Sequence, residues 1–430
     1  MSSLFDALSC ADDYDPNSLP VERARQLILS LVEPVGGCER AFIRQALDRV
    51  LAADVIAPLD VPAHDNSAMD GYALRHADLA GAGETRLKII GSAFAGHAFA
   101  GRLAAGEAVR IMTGAVVPPG ADTIVIQEVV RADGDALVVP AGQRLGQNLR
   151  RAGEDLRVGE PALKAGKLLR PAEIGLLASL GQAEVTLRRR VRVAMFSTGD
   201  ELNSVGNVLK EGEVYDSNRY SMWGMLTRLG CEVIDMGVVR DDPAALEAAL
   251  VEAATHADAI ISSGGVSVGD ADFVRGLMAK LGEVAFWKIA MKPGRPMAFG
   301  RIGQGKAGGG ADGAWLFGLP GNPVAVMVSF YQFVRPALLK MMGVPAELTE
   351  LPTLRVPCGG TLKKGRGRTE FQRGTLYQED GEWRVRATGA QGSGILRSMA
   401  EANCFIMLGP DSNGAAPGDL VSVQLMDGLV

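Results

Sequence analysis

The chain is short of the residues that build metal clusters and disulfide scaffolds. Its five cysteines, Cys10, Cys38, Cys231, Cys358 and Cys404, are scattered over 430 residues with no C-x-x-C pair. That argues against a structural zinc site or a disulfide framework and fits reduced thiols in a cytoplasmic setting. Its four histidines, His64, His76, His97 and His256, show no H-E-x-x-H spacing. There is no basic excess: 44 Lys and Arg stand against 50 Asp and Glu, a formal charge of −6. That excludes a general nucleic-acid binder. The first residues, Met1 to Pro16, are acidic and lack the basic start of a signal peptide. Long apolar runs are also missing. The most apolar stretch, around Val324 to Val334, is interrupted by Ser329 and Gln332. It reads as a core helix too short to span a bilayer, so neither membrane nor nucleic acid is expected as a partner.

The remaining composition, 47% hydrophobic and 22% charged, is that of an ordinary globular protein. The length implies about three domains. From about residue 191 to 341, strand-like and helix-like patterns alternate. Val191–Phe196, Cys231–Val239 and Ala259–Ile261 read as buried strands. Asp216-Ser217-Asn218 is a helix start ahead of Met222, Met225, Leu226 and Leu229, stopped by Gly230. Asp242-Pro243 opens a helix with Leu246, Leu250 and Ala253 on one stripe, and Phe273, Leu277 and Leu281 mark another. Strands Glu283–Ile289, Met297–Arg301 and Trp315–Phe317 follow, and Asn322-Pro323 opens the next helix. Such alternation predicts a parallel, doubly wound sheet with right-handed crossovers. Gly303 to Gly313 reads as a flexible hairpin insertion.

The flanks differ. Short β-like runs with turn signals fill residues 59 to 157, and again the region after 350, where Asp380-Gly381 marks a hairpin. Val21 to Leu51 reads as helical, and Leu163 to Arg190 holds a short helix before the basic linker Arg188-Arg189-Arg190. The fold class is therefore α/β multidomain: a central doubly wound, mostly parallel sheet flanked by β-rich modules and a small helical linker region. The expected units are 21–58 with 158–190 (discontinuous helical/linker), 59–157 (inserted β-rich), 191–345 (α/β) and 350–430 (C-terminal β-rich).

Three strand ends carry chemistry. Ala259-Ile260-Ile261 runs into Ser262-Ser263-Gly264-Gly265-Val266-Ser267 and on to Asp270 and Asp272. Glycines let a backbone approach a ligand, and free N–H groups favour anions. Glu201 follows one strand, Asp241 a second and Asp272 a third. Each acid alone reads best as a cap or a solvated charge, and Asp270 as the cap of its own helix. Three at successive strand ends suit a divalent cation. In open α/β sheets ligands bind at these ends, so the pattern points to an anionic, metal-associated ligand. Lys288, Lys292 and Arg295 share one strand–loop segment and read, taken alone, as solvated charge. Asp70 before Gly71 reads as a turn, and Asp155 as a partner of Arg150 or Arg151.

Five segments in order then resemble one family. Asn66-Ser67-Ala68-Met69-Asp70-Gly71-Tyr72-Ala73, Arg151-Ala152-Gly153-Glu154-Asp155, Ser197–Leu202, Ser262–Asp272 and Gly318-Leu319-Pro320-Gly321-Asn322-Pro323 are similar to motifs of the molybdopterin molybdenumtransferases. The resemblance spans nearly the whole chain. It implies insertion of molybdate into the dithiolene of adenylylated molybdopterin, release of AMP and formation of active molybdenum cofactor. It further implies magnesium, bound by Glu201, Asp241 and Asp272, and an elongated homodimer whose cleft joins the central domain of one chain to modules of the other. Transient contact with other cofactor-biosynthesis proteins is part of the same expectation. Asp70 and Asp155 become site residues on this reading, with Lys288 and Lys292 beside them. Ser263, Gly264, Gly265, Ser267, Pro320, Gly321, Asn322 and Pro323 are expected around the pterin phosphates. Arg295, Arg368 and Ser393 are expected near molybdate. Arg295 stands where the family commonly has lysine, replacing a point charge by a fork of donors. Two other readings share the fold: a scaffold without turnover, as in gephyrin, and an adenylyltransferase of molybdopterin. All five acids are present and no long linker is seen, which favours the insertion enzyme; the extra modules argue against the adenylyltransferase.

Overall fold

The computed structural model describes residues 18–265, 271–303 and 313–426, with the side chains of 271–275 left out. The expectations about Met1 to Pro16 and most of the Gly303–Gly313 stretch lie outside the described residues.

Helix α1 (Val21–Leu31) opens the described chain. The sequence pattern extends this helix to Leu51, but it stops at Leu31. Pro34 disfavours helical backbone at the residue before it, and Gly37 takes a positive φ of 94°. The chain continues as strand β1 (Cys38–Phe42). The inserted region follows: β2 (Gly71–Leu74), β3 (Glu84–Ala93), β4 (Glu107–Ile111), β5 (Thr123–Ile126), β6 (Arg131–Asp133) and β7 (Ala136–Pro140). They form one six-stranded sheet in the order β5-β2-β4-β3-β7-β6. The chain then returns through α2 (Pro171–Ser179) and β8 (Glu184–Arg188), and β8 pairs antiparallel with β1. A small core of Ala46, Leu51, Leu163, Leu169, Leu177, Val185 and Leu187 joins the two sides of the insertion. Helix α1 is not part of it; Ala24, Leu27 and Ile28 bury against the central core instead.

The central region runs β9 (Arg192–Thr198), α3 (Ser217–Arg228), β10 (Glu232–Val239), α4 (Pro243–His256), β11 (Ala259–Ser263), α5 (Ala271–Leu281), β12 (Gly282–Lys288), β13 (Met291–Lys292), β14 (Pro296–Ile302), β15 (Ala314–Leu319), α6 (Pro323–Ser329) and α7 (Arg335–Met341). Its sheet has the order β10-β9-β11-β15-β14-β12. Three ladders, β10·β9, β9·β11 and β11·β15, are parallel; β15·β14 and β14·β12 are antiparallel. The sheet is thus mixed. Physically, β12 and β14 meet across a short loop, which suits an antiparallel pair, whereas parallel neighbours need a longer crossover.

Side chains alternate across this sheet as strand geometry requires. Val193, Met195, Ala259, Ile261, Trp315 and Phe317 enter the core shared with α1, α3, α6 and α7. Ala194, Phe196, Ile260 and Leu316 face Leu246, Leu250, Leu277 and Leu281 of α4 and α5. Burial on both faces explains why these strands read as continuous apolar runs. The core helix is longer than its sequence pattern: Pro323–Met341 is helical for 19 residues, passing through a π-helical turn at Phe330–Val334. It is apolar enough to cross a membrane by length and composition, and 72% of it is buried inside the molecule.

After this helix come β16 (Thr353–Pro357), β17 (Thr369–Glu379), β18 (Glu382–Ala387), β19 (Cys404–Leu408) and β20 (Leu420–Leu425). Their sheet has the order β13-β17-β19-β20-β16, with β18 pairing β17. The short strand β13 thus takes the chain from the central region into this last sheet.

Candidate active site

The ends of β9, β11 and β15 lie side by side. The chain steps from β9 to β10 on one side and then to β11 on the other, so a topological switch point falls between β9 and β11. Crevices at such points hold ligands in α/β sheets. The first turn of α3 ties these ends together. Ser197 Oγ donates to Asp216 Oδ1 at 3.0 Å, and the same oxygen caps α3 by accepting the Arg219 N–H at 3.1 Å. Asn218 Nδ2 donates to Ser263 Oγ at 2.7 Å and to the Gly321 carbonyl at 2.6 Å.

Gly264 and Gly265 cross the end of β9 with φ of 88° and 65°. A Cβ on Gly264 would stand 2.5 Å from the Thr198 carbonyl oxygen, and one on Gly265 2.8 Å from Thr198 Oγ1. Both positions need glycine for close approach and for backbone shape. One expectation changes here. The Gly264 N–H donates to the Leu319 carbonyl at 3.1 Å, so it is not available to an anion. Three buried polar atoms at this spot, Thr198 Oγ1, Asp216 Oδ2 and Asn218 Oδ1, have no hydrogen-bond partner among the described residues. Buried polar atoms are normally paired, and these three leave bonding capacity at the end of β9.

Glu201 is exposed, and its carboxylate folds over Gly199, where a Cβ would lie 2.6 Å from Glu201 Oε2. Asp241 is exposed at the end of β10, and its N–H reaches Asp200 Oδ1 at 3.5 Å, joining the two loops. Its neighbour Asp242 caps α4, accepting from the Ala244 and Ala245 N–H groups at 3.1 and 3.0 Å. Asp272 falls in α5, but its side chain is outside the described residues, as are Ser267 and Asp270. No group of three or more His, Cys, Asp or Glu able to hold a metal occurs among the described residues. The side chains of Glu201, Asp241 and Asp272 are carboxylates, the hard oxygen donors that magnesium takes.

Cations gather at the junction with the last sheet. Lys292 in β13 pairs with the buried Glu370 at 3.2 Å across the β13·β17 ladder. Lys288 is exposed at the end of the edge strand β12. Arg295 is exposed, and its carbonyl accepts the Ile289 N–H at 2.7 Å, closing the loop between them. Gly294, with φ of 100°, sits on Ser329: a Cβ there would meet Ser329 Oγ, buried and unpartnered among the described residues, at 2.6 Å. Arg368 is exposed next to Thr369, whose N–H donates to the Ala290 carbonyl at 2.9 Å. The Ser393 carbonyl accepts the Val324 N–H at 3.1 Å, seating it against the Pro320–Pro323 loop. Pro323 starts α6, but Asn322 at its N-cap makes no side-chain cap bond, and its amide stays exposed.

Two residues here escaped the sequence pattern. Asn218 looked like one more capping residue in a run of three, and only the fold shows it as a clamp. Arg373 is 1% exposed and anchors the loop carrying Ser393. Its guanidinium donates to Ser398 Oγ at 3.0 Å and to the Gly392 carbonyl at 3.1 Å, and its backbone N–H to Gln391 Oε1 at 2.8 Å. Burial pulls its pKa down, with Glu370 opposing.

Asp70 and Asp155 lie on the inserted region. Asp70 Oδ1 accepts the Thr113 N–H and hydroxyl, each at 2.8 Å. The backbone bond first, then the hydroxyl, hold its carboxyl below the usual range. Gly71 is needed for strand contact rather than a turn: a Cβ would lie 2.1 Å from the Val125 carbonyl oxygen across the β2·β5 ladder. Asp155 is exposed and its N–H donates to the Val61 carbonyl at 3.0 Å. Arg151 pairs with Asp65 at 2.9 Å rather than with Asp155.

Residues 19–181 match the MoeA N-terminal region (domain I and II), 194–340 a probable molybdopterin binding domain, and 355–426 the MoeA C-terminal region (domain IV). A molybdopterin molybdenumtransferase of Haemophilus influenzae is 40% identical over 419 residues, covering 96% of this chain and all of that protein. The chain belongs to the molybdopterin molybdenumtransferase family. A family member from Nostoc is 36% identical over 84% of this chain and 82% of its own length. The crystal structure of a molybdopterin biosynthesis moeA protein from Pyrococcus horikoshii superposes with a TM-score of 0.80 at 29% identity, over 95% of this chain and all of that one. The molybdenumtransferase fold therefore accounts for the whole arrangement of sheets, and family membership makes the chain a transferase of molybdenum cofactor biosynthesis.

Proposed function

We propose that the chain inserts molybdate into the dithiolene of adenylylated molybdopterin, with release of AMP. The observation that carries this reading is the crevice between β9, β11 and β15. There two positive-φ glycines cross Thr198, and three buried polar atoms stand unpartnered among the described residues. Gly265, Ser263, Ser267 and the Pro320-Gly321-Asn322-Pro323 loop would receive the phosphates of the substrate. Glu201, Asp241 and Asp272 would hold magnesium, which offsets charge on the phosphoanhydride when bound. Molybdate is a dianion, and Lys288, Lys292, Arg295, Arg368 and Ser393 are proposed as its contacts. Titration of magnesium into the purified protein, against Asp241→Asn, reads the metal site without turnover.

Asp70 and Asp155 are proposed to reach this crevice from a second copy in a homodimer. Exposed apolar side chains in the stretch leading from β9 into α3 support such a contact: Val205, Val208, Val214, Tyr215, Tyr220 and Trp223, with Val208 89% exposed. Exposed apolar surface of this kind marks interaction sites when it is contiguous. The domain division proposed is 21–58 with 158–190, 59–157, 191–345 and 350–430. The separate cores favour it, with α1 seated on the central one. A cytoplasmic setting fits the four described cysteines, all free thiols.

The test is direct. Purified protein supplied with adenylylated molybdopterin, magnesium and molybdate is expected to release AMP and yield cofactor that activates an apo-molybdoenzyme. Intact substrate binding with no molybdate-dependent AMP release contradicts the proposal.

A further inference from the structure

A cleft of about 430 Å³ lies at the amino edge of the central sheet, where Arg192 opens β9 and Glu232 opens β10. The strand-end crevice is at the other end of β9, about 20 Å away at roughly 3.3 Å per residue. Five arginines line the cleft: Arg40, Arg49, Arg189, Arg190 and Arg192. They come from β1, the chain just after it, the basic linker and β9, so the cleft bridges the β1·β8 unit and the central sheet.

The acids nearby leave a surplus. Arg40 pairs with Glu184 at 3.2 Å, Arg49 with Glu39, and Arg192 with Glu232 at 3.2 Å. Arg189 forks onto both oxygens of Asp258 at 2.7 Å each. Arg190 has no carboxylate partner among the described residues; its Nη1 donates to the Gly230 carbonyl at 2.6 Å. Arg188, in the adjoining recess, also lacks one and leaves its Nε buried without a partner among the described residues, although the exposed Asp48 shares that recess. The charge excess is small, but the donor excess is large. A guanidinium has five N–H donors and no acceptor, and Arg40, Arg190 and Arg192 each make one side-chain hydrogen bond or ion contact. The lining is mostly polar, with Ala41 its one hydrophobic residue. It suits a compact anion rich in oxygens rather than a ligand with a large ring.

We propose that this cleft is a second anion site, taking a phosphate or pyrophosphate group on the guanidinium forks of Arg190, Arg40 and Arg192. Forked, charge-assisted bonds of this kind are the usual way arginine binds phosphate. The volume lies in the range of small-ligand sites, about 300–1,000 Å³. A bound anion would tie the basic linker to β1 and so brace the joint between the two regions. The site is independent of the insertion chemistry.

The probe is inorganic pyrophosphate, titrated calorimetrically into the full-length protein at low ionic strength, with sulfate as a second arm. The wild type is expected to bind pyrophosphate more tightly than sulfate. Arg190→Gln is expected to weaken pyrophosphate at least about tenfold, the loss of one charge-assisted contact. Its thermal midpoint and its molybdate-dependent turnover without pyrophosphate should stay at wild-type values. Glu201→Gln should bind pyrophosphate like the wild type. Absence of wild-type binding overturns the proposal. So does binding that survives both Arg190→Gln and Arg40→Gln unchanged, because the anion then sits elsewhere.

Discussion

The strand-end crevice and the Asp70 loop both present acids, but they are built differently. In the crevice the scaffold is buried: Ser197, Thr198, Asp216, Asn218 and Ser263 lie beneath exposed Glu201 and Asp241. In the inserted region, Asp70 rests on exposed bonds from one threonine, and Asp155 on its backbone alone. The difference teaches where rigidity is needed. Under the proposed function, the crevice would receive phosphate oxygens at fixed positions and so is held by packing and buried hydrogen bonds. Asp70 and Asp155, if brought to it by a second copy as proposed, would need only to keep their charge.

That contrast can be broken from the buried side first. Gly264→Val should give the largest effect. The side chain would collide with the Thr198 carbonyl in a backbone shape that L-residues avoid. A loss of about 2–4 kcal/mol is expected in denaturant unfolding, together with loss of turnover. Asn218→Ala comes next. It leaves Ser263 Oγ and the Gly321 carbonyl without their clamp, at about 1–3 kcal/mol. Both variants should lose stability and activity together. If Asn218→Ala keeps wild-type unfolding, the buried clamp is not what holds the crevice.

On the exposed side, stability and activity should separate. An equal mixture of Asp70→Asn and Glu201→Gln chains, allowed to exchange, should recover about a quarter of wild-type turnover. Half the dimers would then hold one intact cleft of two. No recovery, with exchange verified by mass spectrometry, argues that each chain completes its own site. The smallest effect is expected from Thr113→Val. It removes the hydroxyl bond but keeps the stronger backbone bond to Asp70. The Asp70 pKa, followed by NMR, should rise part of the way to the ordinary carboxylate value. A depressed carboxyl pKa favours the fold above its unfolded value, and that contribution disappears as pH falls through the folded one. Thr113→Val should therefore narrow the acid window in which Asp70 stays ionised. An unchanged pKa would show that the hydroxyl plays no part.

The sequence made the buried side legible and left the exposed side to resemblance. Alternating apolar strands and the caps at Asp216 and Asp242 follow from local physics, and both helices start where those residues predict. Close approach at Gly264 was also readable, although the loss of its N–H to Leu319 was not, because that bond joins strands far apart in the chain. The end of α1 was written in Pro34 and Gly37, yet its seat on the central core depends on packing that no local pattern encodes. Arg373 was invisible for the same reason: a buried cation earns no signal until its loop is folded around it. Asp70 and Asp155 drew only local readings, a turn before Gly71 and an arginine partner, and the structure gives them Thr113 and the Val61 carbonyl instead.

The central claim is that the carboxyl edge of the central sheet carries the chemistry, and Glu201→Gln tests it most directly. The residue is exposed, so its unfolding free energy should stay within about 0.5 kcal/mol of wild type. Molybdate-dependent AMP release, measured on the same preparation with substrate binding intact, should fall at least about a hundredfold. AMP release at the wild-type rate would contradict the account.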